Sequence, residues 1–291
     1  MLNTAPKFSS VYDHFLSNYK LGDKLSTIAI TGSASGIGAA TRALLESDSV
    51  NVIGIDLHNA EVEADLSIES ERSRAISEIL RLSGGVLDGL VTSAGVSVPF
   101  DPARMLTINW FGTVDLLIGL REALSTSSGV AHVVAISSNS TTITPNVPDA
   151  LVEACLGLDE PAAHKILNEM ADLEAMAIAY AASKLSVARF VRQNAPTQDW
   201  AGSNIRLNSI APGAVLTPLL QGGLDDPTFG AAIEALPIPV GGFAAPELIA
   251  EWIKMMLSPS ADFMCGSVLF LDGGSDALIR PNDWPVSIQL K

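Results

Sequence analysis

Thr31-Gly32-Ser33-Ala34-Ser35-Gly36-Ile37-Gly38 is the stretch on which the fold turns. Ahead of it, Leu25–Thr31 is apolar and rich in β-branched residues, and reads as a buried strand. Behind it a helical pattern runs to about Leu45. Strand, glycine turn and helix in that order make a phosphate site. Glycines let the backbone approach a pyrophosphate, and the helix N-terminus offers free N–H groups and the positive end of its dipole. The spacing is GxxxGxG rather than GxGxxG. Gly32, Ser33, Ser35, Gly36, Ile37 and Gly38 are the candidate pyrophosphate cradle.

Working outward, Asn51–Asp56 reads as the second strand, and Asp56 lies 18 positions after Gly38. A carboxylate there accepts hydrogen bonds from ribose hydroxyls and repels a 2′-phosphate. No Arg or Lys occurs in the glycine turn or directly after Asp56 and Leu57, which favours NAD over NADP. Asp65-Leu66 follows a short third strand, and Glu69–Leu82 is a predicted helix. Leu87–Thr92 is the fourth strand. It ends in Ser93-Ala94-Gly95, small residues that leave room for a cofactor ribose. Met105–Leu124 is a long helical pattern in which Asn109 sits among Ile108, Trp110 and Phe111, as a buried amide with a specific partner would. Val130–Ile136 is the fifth strand, and Ser137-Ser138 follow it on the ligand side of a parallel sheet.

Tyr180 and Lys184 stand four apart, on one face of a predicted helix Ala179–Gln193. A phenol ordinarily titrates near ~10, and a neighbouring ammonium lowers that value. Such a phenol can take a proton from an alcohol or give one to a carbonyl. Between Ser138 and Tyr180, residues 139–178 form an insert with predicted helices Asp149–Leu156 and Glu160–Met176. Both its ends meet the chemistry, so it is expected to border the substrate entrance and be partly mobile. Ile205–Ile210 is the sixth strand, with Pro212-Gly213 turning out of it. Thr217–Gly242 is rich in Pro, Gly and Leu and suits a mobile flap. Leu216, Leu219, Leu220, Leu224, Phe229 and Leu236 point to an apolar pocket. Pro246–Leu257 is a helix and Ser267–Leu271 a last strand, closing with Asp272-Gly273-Gly274.

Together these elements predict an α/β fold. It is one Rossmann-like domain over 25–276, a doubly wound parallel sheet of about seven strands with a helical insert before the tyrosine. Residues 1–24 are an N-terminal extension with a possible helix Ser9–Tyr19, and 277–291 a C-terminal tail.

The chain has 291 residues, of which 48% are hydrophobic and 17% charged, which bounds it as an ordered globular chain. The net charge of −15 argues against nucleic acid and anionic membrane as partners. Cys155 and Cys265 give neither a disulfide framework nor a metal spacing. No apolar run spans a bilayer, and 1–24 has no signal core, so the expectation is a cytoplasmic protein without a bound metal.

With these residues in place, the chain resembles the short-chain dehydrogenase/reductase family over about residues 25–276. Gly32, Gly36 and Gly38 match its glycine motif, Tyr180 and Lys184 its YxxxK motif, Ser138 its serine and Asn109 its helix asparagine. Pro212-Gly213 with Val215 and Thr217 match its PG motif, and Asp272–Gly274 its final DGG. Pro218-Leu219-Leu220-Gln221 followed by Asp226-Pro227 resembles the bacterial 3α-hydroxysteroid dehydrogenase/carbonyl reductase branch, which also carries an insert. Here Ser138 and Tyr180 are 42 positions apart. The family's Asn-Asn-Ala-Gly is Thr92-Ser93-Ala94-Gly95 in this chain. Thr92 is expected to bond locally and the strand to survive.

The resemblance implies roles. Tyr180 is the acid/base, Ser138 orients the substrate oxygen, and Lys184 tunes Tyr180 and holds the nicotinamide ribose. Asn109 supports a proton relay from Lys184. Asp56 holds the adenosine ribose, Asp65-Leu66 flank adenine, and Ala94-Gly95 line the ribose side. Val215 and Thr217 hold the carboxamide. The implied activity is NAD-dependent interconversion of a secondary alcohol and a ketone on a small apolar substrate, in a homodimer or homotetramer. Family members pair through helices like 109–124 and 179–193, and the insert could block one such interface. Two rivals follow from the same residues. One is an epimerase or dehydratase of the extended family, disfavoured by the glycine spacing and the absence of a larger C-terminal substrate domain. The other is a silent NAD-binding scaffold, disfavoured by the presence of all four catalytic side chains.

Overall fold

The computed structural model describes residues 26–283 and Ser287; the possible helix Ser9–Tyr19 and most of the tail lie outside these. Seven strands form one parallel sheet: β1 (Thr27–Thr31), β2 (Asn51–Asp56), β3 (Val62–Glu63), β4 (Gly89–Thr92), β5 (Ala131–Ile136), β6 (Ile205–Pro212) and β7 (Val268–Leu271). Their order is β3-β2-β1-β4-β5-β6-β7. Connections run one way from β1 to β3 and the other way from β4 to β7, so the direction reverses between β1 and β4. Thr31 pairs with Thr92 there, so the loops after both residues leave the sheet side by side. In open α/β sheets this crevice is where ligands bind.

The inner strands are buried on both faces, as a parallel sheet demands, while the edge strand β7 is half-buried. Alternate residues of β1 serve opposite layers. Ala29 packs with Ile53, Leu90, Val133, Trp110 and Val187, whereas Ile28 and Ile30 pack with Val52, Val91, Leu45 and Ile253.

Three helical expectations need correction. The predicted helix Met105–Leu124 is four pieces: Pro102–Leu106, a π-helical turn Thr107–Phe111, Gly112–Gly119 and Arg121–Ser125. The predicted Glu160–Met176 ends at Asn168, and a new helix, Asp172–Asn194, carries Tyr180 and Lys184. Its 23 residues thus begin within the insert rather than at Ala179. The 217–242 segment holds two short helices, Pro218–Leu224 and Gly230–Glu234. Thr217 caps the first, its hydroxyl accepting from the Leu220 N–H at 3.3 Å, with Pro218 in the first turn.

The insert is mostly docked. Helices Asp149–Leu156 and Glu160–Asn168 pack on Asp172–Asn194 and bury Leu151, Val152 and Leu167. Each such side chain is worth roughly 1.5–3 kcal/mol relative to exposure, so these helices are part of the core. The short helix Ser140–Ile143 and its neighbours Thr144 and Pro145, with Ala177, are what the insert contributes to the ligand cavity, together with Asn139.

Candidate active site

A cavity of about 840 Å³ opens at the strand-order reversal. The glycine turn forms one wall. Gly32 and Gly36 have φ of +68° and +53°, in the left-handed region that favours glycine. A Cβ on Gly32 would stand 2.8 Å from the Ala94 nitrogen, and one on Gly38 would stand 2.1 Å from the Gly32 oxygen. Gly32, Ser35, Gly36 and Ile37 line the cavity. Gly38 and Ser33 do not: both are buried beneath the turn, and the Ser33 hydroxyl has no hydrogen-bond partner among the described residues. The Thr31 hydroxyl accepts from the Ser93 and Ala94 N–H groups at 3.0 and 2.9 Å, tying the β1 loop to the β4 loop. Sequence reasoning missed Thr31; its signal was a hydroxyl residue directly before the first glycine.

Thr92 departs from expectation. Its strand forms, but its hydroxyl is buried with no partner among the described residues, so the expected local bond is absent. At the next corner, Asp56 accepts from the Ala34 N–H at 2.9 Å and the Leu57 N–H at 2.7 Å. Asp56, Leu57, Asp65 and Leu66 all line the cavity, as do Ser93, Ala94 and Gly95. Arg104 lines it too, a residue the sequence reading passed over; its guanidinium meets Asp65 at 2.9 Å. Pro212, Gly213, Val215 and Thr217 form the rim opposite.

The polar end is built on β5. The Lys184 ammonium donates to the Ile136 carbonyl at 3.0 Å, while the Ser137 hydroxyl donates to the Lys184 carbonyl at 2.8 Å. Ile136, the last residue of β5, and Ser137 directly after it thereby fix the helix that carries Tyr180. The Ser138 hydroxyl accepts from the Ser140 N–H at 3.1 Å and lies within reach of the Tyr180 phenol. Asn109 is fully buried behind the cavity wall. It receives the Val96 N–H on its oxygen and gives its amide N–H to the Val96 carbonyl, both at 2.8 Å. A Cβ on Gly95 would stand 3.1 Å from the Asn109 side-chain oxygen and 3.5 Å from the Lys184 ammonium, so the three meet at one point.

The electrostatics differ from the expected picture. Burial pushes the Tyr180 phenol above its ordinary value, and the Ser138 hydroxyl only partly offsets this. Burial also pulls Lys184 down to about 8. The ammonium stands 6.0 Å from the ring centre and is directed to the Ile136 carbonyl, so in this geometry it does not outweigh desolvation of the phenol. The far end of the cavity is apolar, with Val96, Ile143, Leu219, Leu220, Phe229, Ile233 and Leu236. Leu216 and Leu224, expected there, are not among the lining residues, and Leu216 is exposed.

Comparison with known proteins agrees with this geometry. Residues 167–276 match the family described as enoyl-(acyl carrier protein) reductase. Over 262 residues the chain is 37% identical to the 3-alpha-hydroxysteroid dehydrogenase/carbonyl reductase of Comamonas testosteroni, covering 89% of this chain and 100% of that one. The chain belongs to the short-chain dehydrogenase/reductase family. This dehydrogenase also shares 30% identity with the cis-4-hydroxycyclohexanecarboxylate dehydrogenase of Sinomonas cyclohexanicum, over 86% of its own length and 96% of the relative's. Its fold superimposes on the crystal structure of the 3-alpha-hydroxysteroid dehydrogenase from Pseudomonas sp. B-0831 complexed with NADH. The TM-score is 0.83 at 44% identity, with 88% of this chain and 99% of that one covered. It is an oxidoreductase that interconverts alcohol and carbonyl groups with a nicotinamide nucleotide.

Proposed function

We propose that this dehydrogenase uses NAD(H) to interconvert a secondary alcohol and a ketone on an apolar cyclic skeleton, of the hydroxysteroid or cyclohexanol kind. The observation that carries this is the cavity's polarity: Ser138, Tyr180 and Lys184 at one point, an apolar wall from 218–236 beside them. The named relatives act on steroid and cyclohexane alcohols.

The residues fit a dinucleotide. Gly32 and Gly36 at positive φ let the turn run close to Ala94 and Thr217, which a Cβ would meet at 2.8 and 3.1 Å, and Gly32, Ser35, Gly36 and Ile37 face the cavity. Gly32, Ser35, Gly36 and Ile37 would hold the pyrophosphate at the N-terminus of helix Gly36–Ser47, with Gly38 and Ser33 supporting the turn from beneath. Asp56 keeps unused lone pairs for ribose hydroxyls. Arg42, which the fold brings over Gly54, is held by Glu46 and Glu61 at 2.7 and 2.6 Å and has no charge to spare for a 2′-phosphate. Asp65 and Leu66 would flank adenine, Ala94-Gly95 the ribose, and Val215 and Thr217 the carboxamide, with Pro212-Gly213 shaping that rim; all line the cavity.

The bound nucleotide supplies the hydride acceptor or donor. Tyr180 exchanges a proton with the substrate oxygen. The Ser138 hydroxyl accepts from the Ser140 N–H, which leaves its own O–H to donate to the same oxygen. Lys184 holds the nicotinamide ribose and favours the phenolate when charged. Asn109 fixes the Val96 backbone beside it.

The assembly we propose is a homodimer through helix Pro246–Met256 and β7. The insert already covers helix Asp172–Asn194 and the π-helical turn, whereas Leu248, Trp252, Met255 and Phe263 remain exposed next to an edge strand. The cytoplasm is the proposed location: both cysteines are free, and no helix among the described residues is long and apolar enough to cross a membrane.

The test follows NADH absorbance with a panel of 3-hydroxysteroids, substituted cyclohexanols and aryl alcohols, each with NAD and NADP. Turnover of cyclic alcohols, with a higher kcat/KM for NAD, is the expected outcome. NAD binding with no turnover across the panel would return the scaffold reading.

A further inference from the structure

The insert touches the reaction from behind. The π-helical turn Thr107–Phe111 carries Asn109 on its inner side and presents Thr107 and Trp110 to the insert. The Thr107 hydroxyl donates to the Glu160 carboxylate at 2.5 Å and meets the His164 Nε2 at 2.9 Å. Its one proton goes to Glu160, so its lone pair receives the His164 Nε2–H. Three residues on, the Trp110 indole N–H donates to the Cys155 carbonyl at 2.8 Å. Two helices of the insert thus hold the turn on either side of Asn109 in the chain. π-helical turns widen the hydrogen-bonding ring and concentrate at functional sites; nothing in Thr107–Phe111 itself demands one.

Glu160 also reaches the opposite end of the cleft. Its second carboxylate oxygen meets Arg72 at 3.4 Å. Arg72 is buried, pairs with Asp115 at 2.6 Å, and donates to the Leu66 carbonyl at 3.2 Å. One carboxylate therefore braces both Asn109, beside Gly95 and Lys184, and Leu66, in the cavity wall.

We propose that Glu160 is a positioning residue for the reaction: through Thr107 it sets Asn109, and through Arg72 it sets the adenine wall. This rests on the oxidoreductase reading above and deepens it, giving the insert a part in catalysis from residues that never meet substrate. The two arms are separable. Thr107→Val breaks the arm to Asn109 and keeps the side-chain shape. Arg72→Lys weakens the arm to Leu66 and keeps a charge. Glu160→Ala removes both, while Glu160→Gln keeps an acceptor for Thr107 and loses the charge facing Arg72.

The experiment measures kcat and its pH profile on the cyclic alcohol turned over best, with NAD affinity by fluorescence titration in the absence of substrate. A small misplacement of a reacting group costs up to ~10²-fold, so an indirect one through Asn109 is expected to cost about tenfold. Thr107→Val should lower kcat by roughly that factor and flatten the pH dependence, with NAD affinity unchanged. Arg72→Lys should weaken NAD several-fold with kcat held. Glu160→Ala should show both losses, and Glu160→Gln should recover kcat but not NAD affinity. Leu167→Ala, which loosens the same insert without touching the turn, is the control and should melt lower with both constants near wild type. If Leu167→Ala lowers kcat as much as Thr107→Val does, the insert is scaffolding only and the proposal falls. Equal losses in Glu160→Gln and Glu160→Ala would overturn it as well. NAD titration is read without turnover, so a wrong substrate class leaves the Leu66 arm testable.

Discussion

The two ends of the cleft are made of different material. At the nucleotide end the wall is backbone: glycines at positive φ, a helix N-terminus and two loops tied by the Thr31 hydroxyl. At the chemical end it is side chains, held by hydrogen bonds to β5 and to the loops that follow β4 and β5. A backbone wall tolerates change in what surrounds it, provided no Cβ intrudes. A side-chain wall depends on single atoms, and burial shifts their proton affinities. The nucleotide end should therefore fail by lost binding and the chemical end by lost rate.

The sharpest way to break that division is Tyr180→Phe, which removes one oxygen. General acid–base catalysis is typically worth ~10²–10⁴, so kcat should fall by at least that much while NAD affinity by titration stays within a few-fold. Near wild-type turnover would place the proton elsewhere. Next comes Lys184→Met, read by melting at several pH values. The lysine's folded value of about 8 lies below its ordinary 10.5. A depressed lysine penalises the folded state in full below about 8, and the penalty is lost as pH rises towards the unfolded value. Wild type should thus gain stability relative to Lys184→Met, by up to about 3 kcal/mol between pH 7 and pH 10.5. A difference that stays flat with pH would mean the buried ammonium is not strained. The mildest test is Asp56→Ala, which should narrow the NAD preference in kcat/KM by about tenfold, the order of one or two lost hydrogen bonds to ribose. An unchanged ratio would move cofactor choice to another residue.

The same division governs what the sequence made readable. Strands and cradle were legible because apolar runs and glycines report backbone needs directly; all seven strands lie where the pattern put them to within a few residues. Tyr180 and Lys184 share a helix face as their spacing implied, whereas the grouping of Ser138 and Asn109 with them was legible only through the family resemblance. The direction of the Tyr180 shift was not legible, because desolvation depends on what packs around the ring. Nor was the π-helical turn. Its cause lies in partners 45 to 57 positions away, at Cys155, Glu160 and His164. The break at Met170-Ala171 carries no glycine or proline to announce it. The helix Pro218–Leu224 was readable after all, since Thr217-Pro218 is a cap followed by a first-turn proline.

Residues 136 and 137 grip Lys184 at its ammonium and its carbonyl, like two bolts through one plate. The plate carries Tyr180, so strand and helix travel together and the reacting oxygens keep their spacing. Motion at the cavity is expected instead along residues 218–236, which line it from two short helices. Amide exchange tests this expectation: it should be slow and indifferent to ligand at 180–184, and slowed by ligand along 218–236. With that outcome, a substrate would meet a fixed wall at Ser138 and Tyr180 and a yielding edge at 218–236, the first ranking alcohols by handedness and the second by size.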